Sequence, residues 1–157
     1  ILQHAKDNGL HLTVHAGESS GPEGVRGALD VLHAERIDHG VRSVEDPELL
    51  QRLKDAHIAL NVCFSSNVIG GLYSPQTHPL GKLFSDGQLV TVSTDDPMLL
   101  DLPLLKELQI VTEQYGWGIN EVLQLQKNAV AAAFCTQEEK EKLYAYIDVF
   151  QKKLSAF

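Results

Sequence analysis

Three short stretches of the sequence put imidazole and carboxylate groups side by side: His15 and Glu18 in TVHAGE, Asp38 and His39 in ERIDHG, and Asp95 and Asp96 in STDDP. An imidazole beside a carboxylate supplies both a metal ligand and a proton carrier. Histidine nitrogens and carboxylate oxygens together suit a divalent metal, zinc above all, and such a metal acidifies a bound water into a nucleophile at neutral pH. Asp95 and Asp96 repel each other at the end of an apolar strand, so a cation, a helix N-terminus or hydrogen-bond donors must lie near them. Each stretch also has a bland explanation. Glu18 is able to cap a helix beginning at Pro22, Asp38 to hold His39 at a sheet end, and Asp95 or Asp96 to cap a helix with Pro97 in its first turn. Catalytic zinc takes three or more protein ligands; this chain supplies two, and the rest are expected from outside it.

These residues need elements to position them. Leu10, Leu12 and Val14 alternate with His11, Thr13 and His15, which predicts a strand with those three apolar residues on one face. Val25, Leu29 and Leu32 share a helical face, predicting a helix from Pro22 to about Ala34. RIDHG is a short strand, with Arg36, Asp38 and Gly40 opposite Ile37 and His39. Asp46 and Pro47 start a helix through Leu53, HIALNVC is a third strand, a helix around PLGKLFSDG ends at Gly87, and LVTVS is a fourth strand. FSSNVIGGLYSPQTHP between them reads as irregular. Strand ends fall near His15, His39, Cys63 and Thr94, at spacings of 24, 24 and 31 residues, the interval of βα units that build a parallel sheet. In such folds the strands' C-terminal ends converge on one face, so His15, Glu18, Asp38, His39, Asp95 and Asp96 meet there. The rest is helical: Leu104, Leu105, Leu108 and Val111 share a face, Asn120 caps a helix through Ala133, and Thr136 with Glu139 forms a capping box.

The 157 residues carry 43% hydrophobic and 22% charged side chains, enough for one packed core, and residues 1–157 read as a single α/β domain. The net charge of −8, with no basic cluster, excludes a phosphate-matching surface and so nucleic acid as a partner. Two cysteines, Cys63 and Cys135, form no disulfide framework and read as core residues of a reducing, cytoplasmic protein. No apolar run approaches the ~18 residues of a membrane span. His4, His11, His33, His57 and His78 lack clustered partners and read as surface or core-edge residues; Ser65, Ser66 and Asn67 sit where a ligand contact or a turn explains them equally well. ILQHAKDNGL, with Ile1, Leu2 and Ala5 apolar and Gly9 at a cap position, reads as the end of a helix entered midway, as expected of a fragment of a longer protein.

Taken together and in order, TVHAGE, ERIDHG, NVCFSSN and STDDP resemble the adenosine deaminase family of metal-dependent amidohydrolases, and the similarity runs on through EDPELLQRL, HPLGKLFSDG and the helical tail. The resemblance implies the C-terminal half of a TIM-type (β/α)8 barrel, because a whole barrel takes ~250 residues. It implies one zinc per intact site, with His15 and Asp95 as ligands. Glu18 would protonate the purine ring nitrogen beside the attacked carbon, His39 would orient the attacking hydroxide, and Asp96 would bind the other purine ring. The family's His-x-His ligand pair has no counterpart here, so the isolated chain is expected to be inactive. Cys63-Phe64 stands where the family has Cys-Pro, a departure expected to alter pocket shape more than chemistry. The implied function is hydrolytic deamination of adenosine or deoxyadenosine. Adenine, AMP or an aminofutalosine-type purine are sibling alternatives, and a barrel half that binds metal or a partner chain without turnover is the non-catalytic one. The expected partners are a purine nucleoside and, across the open strand edges, the missing N-terminal half or a second copy.

Overall fold

A computed structural model describes residues 2–154. Helix α1 (Leu2–Asp7) closes through Gly9, whose φ of 78° lets Gly9 N–H bond Lys6 and Leu10 N–H bond Ala5, the expected glycine cap; Ile1 lies outside the described residues. Strand β1 (Thr13–Ala16), helix α2 (Pro22–Asp30), strand β2 (Arg36–His39), a 3₁₀ turn (Val41–Glu45), helix α3 (Pro47–Asp55) and strand β3 (Ala59–Val62) follow. Helices α4 (Phe64–Ile69) and α5 (Leu80–Ser85) precede strand β4 (Val90–Val92), and α6 (Leu104–Tyr115), α7 (Ile119–Ala132) and α8 (Gln137–Leu154) complete the chain. All strand pairs are parallel, in the order β1-β2-β3-β4, as the βα spacing predicts.

Register divides the sheet chemically. Ile37, Leu60 and Val90 pair across three strands and are fully buried in a core with Val25 and Ala28 of α2, Leu49 and Leu53 of α3, and Leu80 and Leu83 of α5. Burying side chains of this size is worth about 1.5–3 kcal/mol each before entropy is counted. The opposite face is polar: Thr13 Oγ1 donates to Asp38 Oδ2 at 2.9 Å, Asn61 Nδ2 to Asp38 Oδ1 at 2.7 Å, and Thr91 Oγ1 to Asn61 Oδ1 at 2.9 Å, a ladder crossing all four strands. No helix among the described residues is long and apolar enough to cross a membrane.

Caps set the helix boundaries. Asp46 accepts from Leu49 N–H at 3.0 Å, and Thr136 and Glu139 form the expected reciprocal box. Four expectations are corrected. Strand β1 begins at Thr13, and Leu10 is 62% exposed. Helix α2 stops at Asp30, before His33 turns the chain with a φ of 54°. Helix α7 begins at Ile119 rather than at an Asn120 cap, because Glu121 reaches back to accept from Gly118 N–H at 2.8 Å. On α6, Val111 is buried and Leu108 partly so, whereas Leu104 and Leu105 are exposed.

Helix α4 occupies a stretch that reads as irregular because its cap comes from far away. Glu107 of α6, fully buried, accepts from Ser65 N–H at 3.0 Å and from the Ser65 hydroxyl. A carboxylate at a helix start satisfies orphan N–H groups and complements the helix dipole.

Candidate active site

The C-terminal ends of the strands bring three of the expected residues together. Ligand atoms of His15, His39 and Asp95 all lie within 4.8 Å of one another. His15, at the end of β1, is largely exposed; its Nδ1 lies 3.5 Å from Asp38 Oδ2, and its ring tilts against that of His39 at 5.0 Å between centroids. His39 is buried, 1% exposed, with its Nδ1 3.4 Å from Glu18 Oε1. Asp95 Oδ2 accepts the Ser66 hydroxyl at 2.6 Å. An open cleft of about 260 Å³ is lined by His15, Asp38, His39, Asn61, Cys63, Ser93, Thr94 and Asp95.

Backbone geometry at the site is unusual. His39 has a φ of 66° and Asp95 of 61°, left-handed values uncommon for non-glycine residues but several-fold enriched in His and Asp, as at His33, His57 and Asp101 of this chain. The chain after β1 turns through Gly17, also left-handed at 66°, where a Cβ would stand 2.5 Å from Val25 Cγ2 and 3.2 Å from Gly40 Cα. Glycine alone lets the Glu18 loop pack this closely on α2.

The capping explanations of Glu18 and of Asp95 and Asp96 fail. Gly21, not Glu18, occupies the cap of α2, and Gly21 N–H bonds Glu23 at 2.9 Å. Glu18 instead accepts from Asn67 Nδ2 at 3.0 Å. After Pro97 the chain forms turns, and the next helix begins at Leu104, so neither Asp95 nor Asp96 caps it. Asp96 is exposed and, like Glu18, is not among the residues that line the cleft; its carbonyl accepts from Leu100 N–H at 2.9 Å.

Asp38 takes its expected place on this face, whereas other side chains near the site lie beyond the reach of local sequence patterns. Asp38 lines the cleft between His15 and Asn61, set there by the pairing of His15 with Asp38 and of Asp38 with Asn61. Asn67 is fully buried and reaches Glu18, His39 and His78. His78, expected to be unpartnered, is buried and 3.1 Å from Asn67 Oδ1. His11 also has partners, Glu35 at 2.8 Å and the stacked ring of Phe134, but it lies before β1, away from the C-terminal strand ends. Ser65 turns to Glu107, leaving Ser66 and Asn67 for the site. Burial, then the charges of Asp95, Glu107 and Asp38, push the Cys63 thiol up to about 12, so it stays neutral. Phe64 packs against the rings of His78 and Tyr115 instead of lining the cleft, so its influence on the cleft is indirect.

Imidazole nitrogen and carboxylate oxygen, as His15 and Asp95 bring together beside His39, are a donor set that zinc accepts. The surrounding carboxylates, Asp38 and Glu18, favour a cation further.

Comparison with known proteins agrees with this arrangement. The adenosine deaminase family profile matches residues 2–150. An adenine deaminase of Rhizobium leguminosarum bv. trifolii is 41% identical over 142 residues, covering 90% of this chain and 44% of that protein. The crystal structure of an adenine deaminase from Arthrobacter aurescens superimposes with a TM-score of 0.92 at 32% identity, over 96% of this chain and 46% of that one. An amidohydrolase from Burkholderia ambifaria, solved with bound zinc, gives a TM-score of 0.87 at 26% identity, over 99% of this chain and 45% of that one. The chain thus spans a little under half the length of these relatives, and its four consecutive parallel strands are half of a TIM-type barrel, the α/β class expected from the sequence. Motifs, fold and relatives agree: the chain belongs to the adenosine deaminase family.

Proposed function

We propose that residues 1–157 are one domain, the C-terminal half of a zinc-dependent aminohydrolase that converts a 6-aminopurine and water to the 6-oxopurine and ammonia. The observation that carries this reading is the convergence of His15, His39 and Asp95 within 4.8 Å, with Glu18 3.4 Å from His39. His15 and Asp95 would hold zinc together with ligands from outside this chain. When bound, zinc would supply Lewis acidity and a water of lowered pKa. His39, whose Nδ1 faces Glu18 Oε1 and Asn67 Nδ2 at 3.4 Å each, keeps its other ring nitrogen for orienting the attacking water. Glu18 gives a proton to the ring nitrogen next to the attacked carbon, so that the ring accepts the electron pair; proton transfer of this kind contributes roughly 10²- to 10⁴-fold. Asp96, exposed beside Asp95, is proposed to bind the other purine ring. The acidic composition and lack of a basic cluster support a small-molecule substrate in the cytoplasm over nucleic acid.

The name of the Rhizobium relative supports adenine as the substrate, and adenosine, expected from the motifs, is the second reading. The test is ammonia release by the zinc-loaded full-length protein from adenine, adenosine and AMP in parallel. Turnover of adenine above the others supports the first reading, and turnover of adenosine above adenine replaces it with the second. Zinc binding without ammonia from any 6-aminopurine overturns the enzymatic reading in favour of a non-catalytic metal-binding barrel.

A further inference from the structure

The environment of Glu18 is set from a helix and a loop that the proposed chemistry does not use. Leu80 N–H points at His78 Nδ1 from 3.2 Å. A backbone N–H only donates, so Nδ1 accepts and the ring proton sits on Nε2. That Nε2–H then faces Asn67 Oδ1 at 3.1 Å, which fixes the amide: its NH₂ end must point the other way, to Glu18 Oε1 at 3.0 Å. Turning the amide over would set NH₂ against N–H at His78 and a carbonyl against the carboxylate at Glu18, losing both bonds. The imidazole itself is clamped. Phe64 and Tyr73 flank it at 4.8 and 5.3 Å between centroids, and Tyr115 Oη donates to the His78 carbonyl at 3.0 Å. Burial holds the His78 imidazole down at about 4 and pushes the Tyr115 hydroxyl up to about 12, so neither changes its hydrogen-bonding role near neutral pH.

We infer that His78 and Asn67 are positioning residues for Glu18: the Nε2–H tautomer of His78 orients the Asn67 amide, and the amide occupies Glu18 Oε1, leaving Oε2 as the oxygen that carries the transferable proton. Among the described residues the side-chain partners of Glu18 are Asn67 and His39, and both approach Oε1. A carboxylic acid with a donor already on one oxygen places its own proton on the other. The relay therefore assigns the proton to one atom and aims it. Glu18 is only partly exposed, and the polar atom nearest to its Oε1 is the nitrogen of a fully buried side chain.

The inference rests on the proposed role of Glu18, and the test separates the two. In the zinc-loaded full-length protein, Asn67→Ala is expected to lower kcat by roughly 10- to 100-fold, the usual effect of losing a supporting hydrogen bond, with KM for the purine and the zinc content nearly unchanged. His78→Phe keeps the ring and removes the Nε2 donor, so it should show the same kcat loss. His78→Gln restores an N–H at that position and should recover most of the loss. Equal behaviour of the Phe and Gln variants, or an Asn67→Ala kcat within about twofold of the parent, overturns the relay. Ring ¹⁵N shifts provide a readout independent of turnover: His78 must report the Nε2–H tautomer at neutral pH, and an Nδ1–H tautomer sinks the inference. If the parent protein releases no ammonia, the functional reading falls while the tautomer measurement still decides the hydrogen-bond order.

Discussion

The Ser66 hydroxyl donates a hydrogen bond to Asp95 Oδ2 across 2.6 Å, tying the first turn of α4 to a carboxylate held at a left-handed φ of 61°. The bond explains how an aspartate in a left-handed conformation just after β4 keeps a fixed side-chain direction. Ser66→Ala removes this support without touching the proposed ligand. Zinc affinity of the full-length protein is expected to fall about 10-fold, within the range for partners of metal ligands. Competition with a chelator measures it; an unchanged affinity means that Asp95 is oriented by other contacts.

Glu18 and Asp95 are predicted to fail in different ways. Glu18→Gln keeps the shape and the bond to Asn67 but has no transferable proton, so turnover should fall by roughly 10²-fold or more while one zinc per chain remains. Asp95→Ala should lose zinc together with turnover. Metal analysis beside kinetics distinguishes them, and loss of zinc in Glu18→Gln would move that residue into the ligand set.

The isolated chain leaves one side of β1 and one side of β4 without a neighbouring strand, and it exposes Met98, Leu99 and Leu105 on the loop and helix after β4. Unpaired strand edges and uncovered apolar side chains both favour association. Light scattering at micromolar concentration should show a dimer or larger species, or a complex with the N-terminal half where that is supplied. A clean monomer that holds one zinc through dialysis would contradict the half-barrel reading.

The βα units are legible in the sequence because their signals are local. Asp46-Pro47 and Thr136 with Glu139 cap helices within four residues of themselves, and Ile37 and His39 take the buried side of β2 by simple alternation. The clustering of His15, His39 and Asp95 follows from their common position at strand ends. Residues whose roles depend on distant partners are silent. Helix α4 is capped by a glutamate 42 residues away, and His78 meets Asn67 of that helix across 11 residues of chain. Leu104 and Leu105 follow the helical period, yet they stay 49% and 69% exposed.

Gly17 is where the turn after β1 admits no side chain. Its φ is left-handed, and a Cβ would press on Val25 Cγ2 at 2.5 Å beside the Gly40 backbone. Gly17→Ala combines a left-handed alanine with overpacking and should destabilise the fold by about 2–3 kcal/mol, while displacing the Glu18 loop. Chemical denaturation measures the first effect. Gly27→Ala, where a Cβ meets nothing within 4 Å, is the control and should be neutral or stabilising.

His78 also makes stability depend on pH, with a sign that follows from its burial. In the folded protein burial holds the imidazole down at about 4, whereas in the unfolded chain it returns to its ordinary value near 6.5. Between those values the unfolded state binds the extra proton, so stability rises with pH: the contribution is complete above about 6.5 and is lost as pH falls to about 4. Its full size is about 3 kcal/mol. His78→Gln has no proton to gain, and its unfolding free energy should therefore fall less steeply than the parent's from pH 6.5 to 4. The carboxylates that also titrate toward the acid end, such as Asp46 held low by Leu49 N–H and Arg26, affect both proteins alike and cancel in the difference. Urea unfolding across this window measures the two curves; parallel curves would mean that His78 takes up its proton in the folded state, at Nδ1, with the Leu80 N–H contact broken.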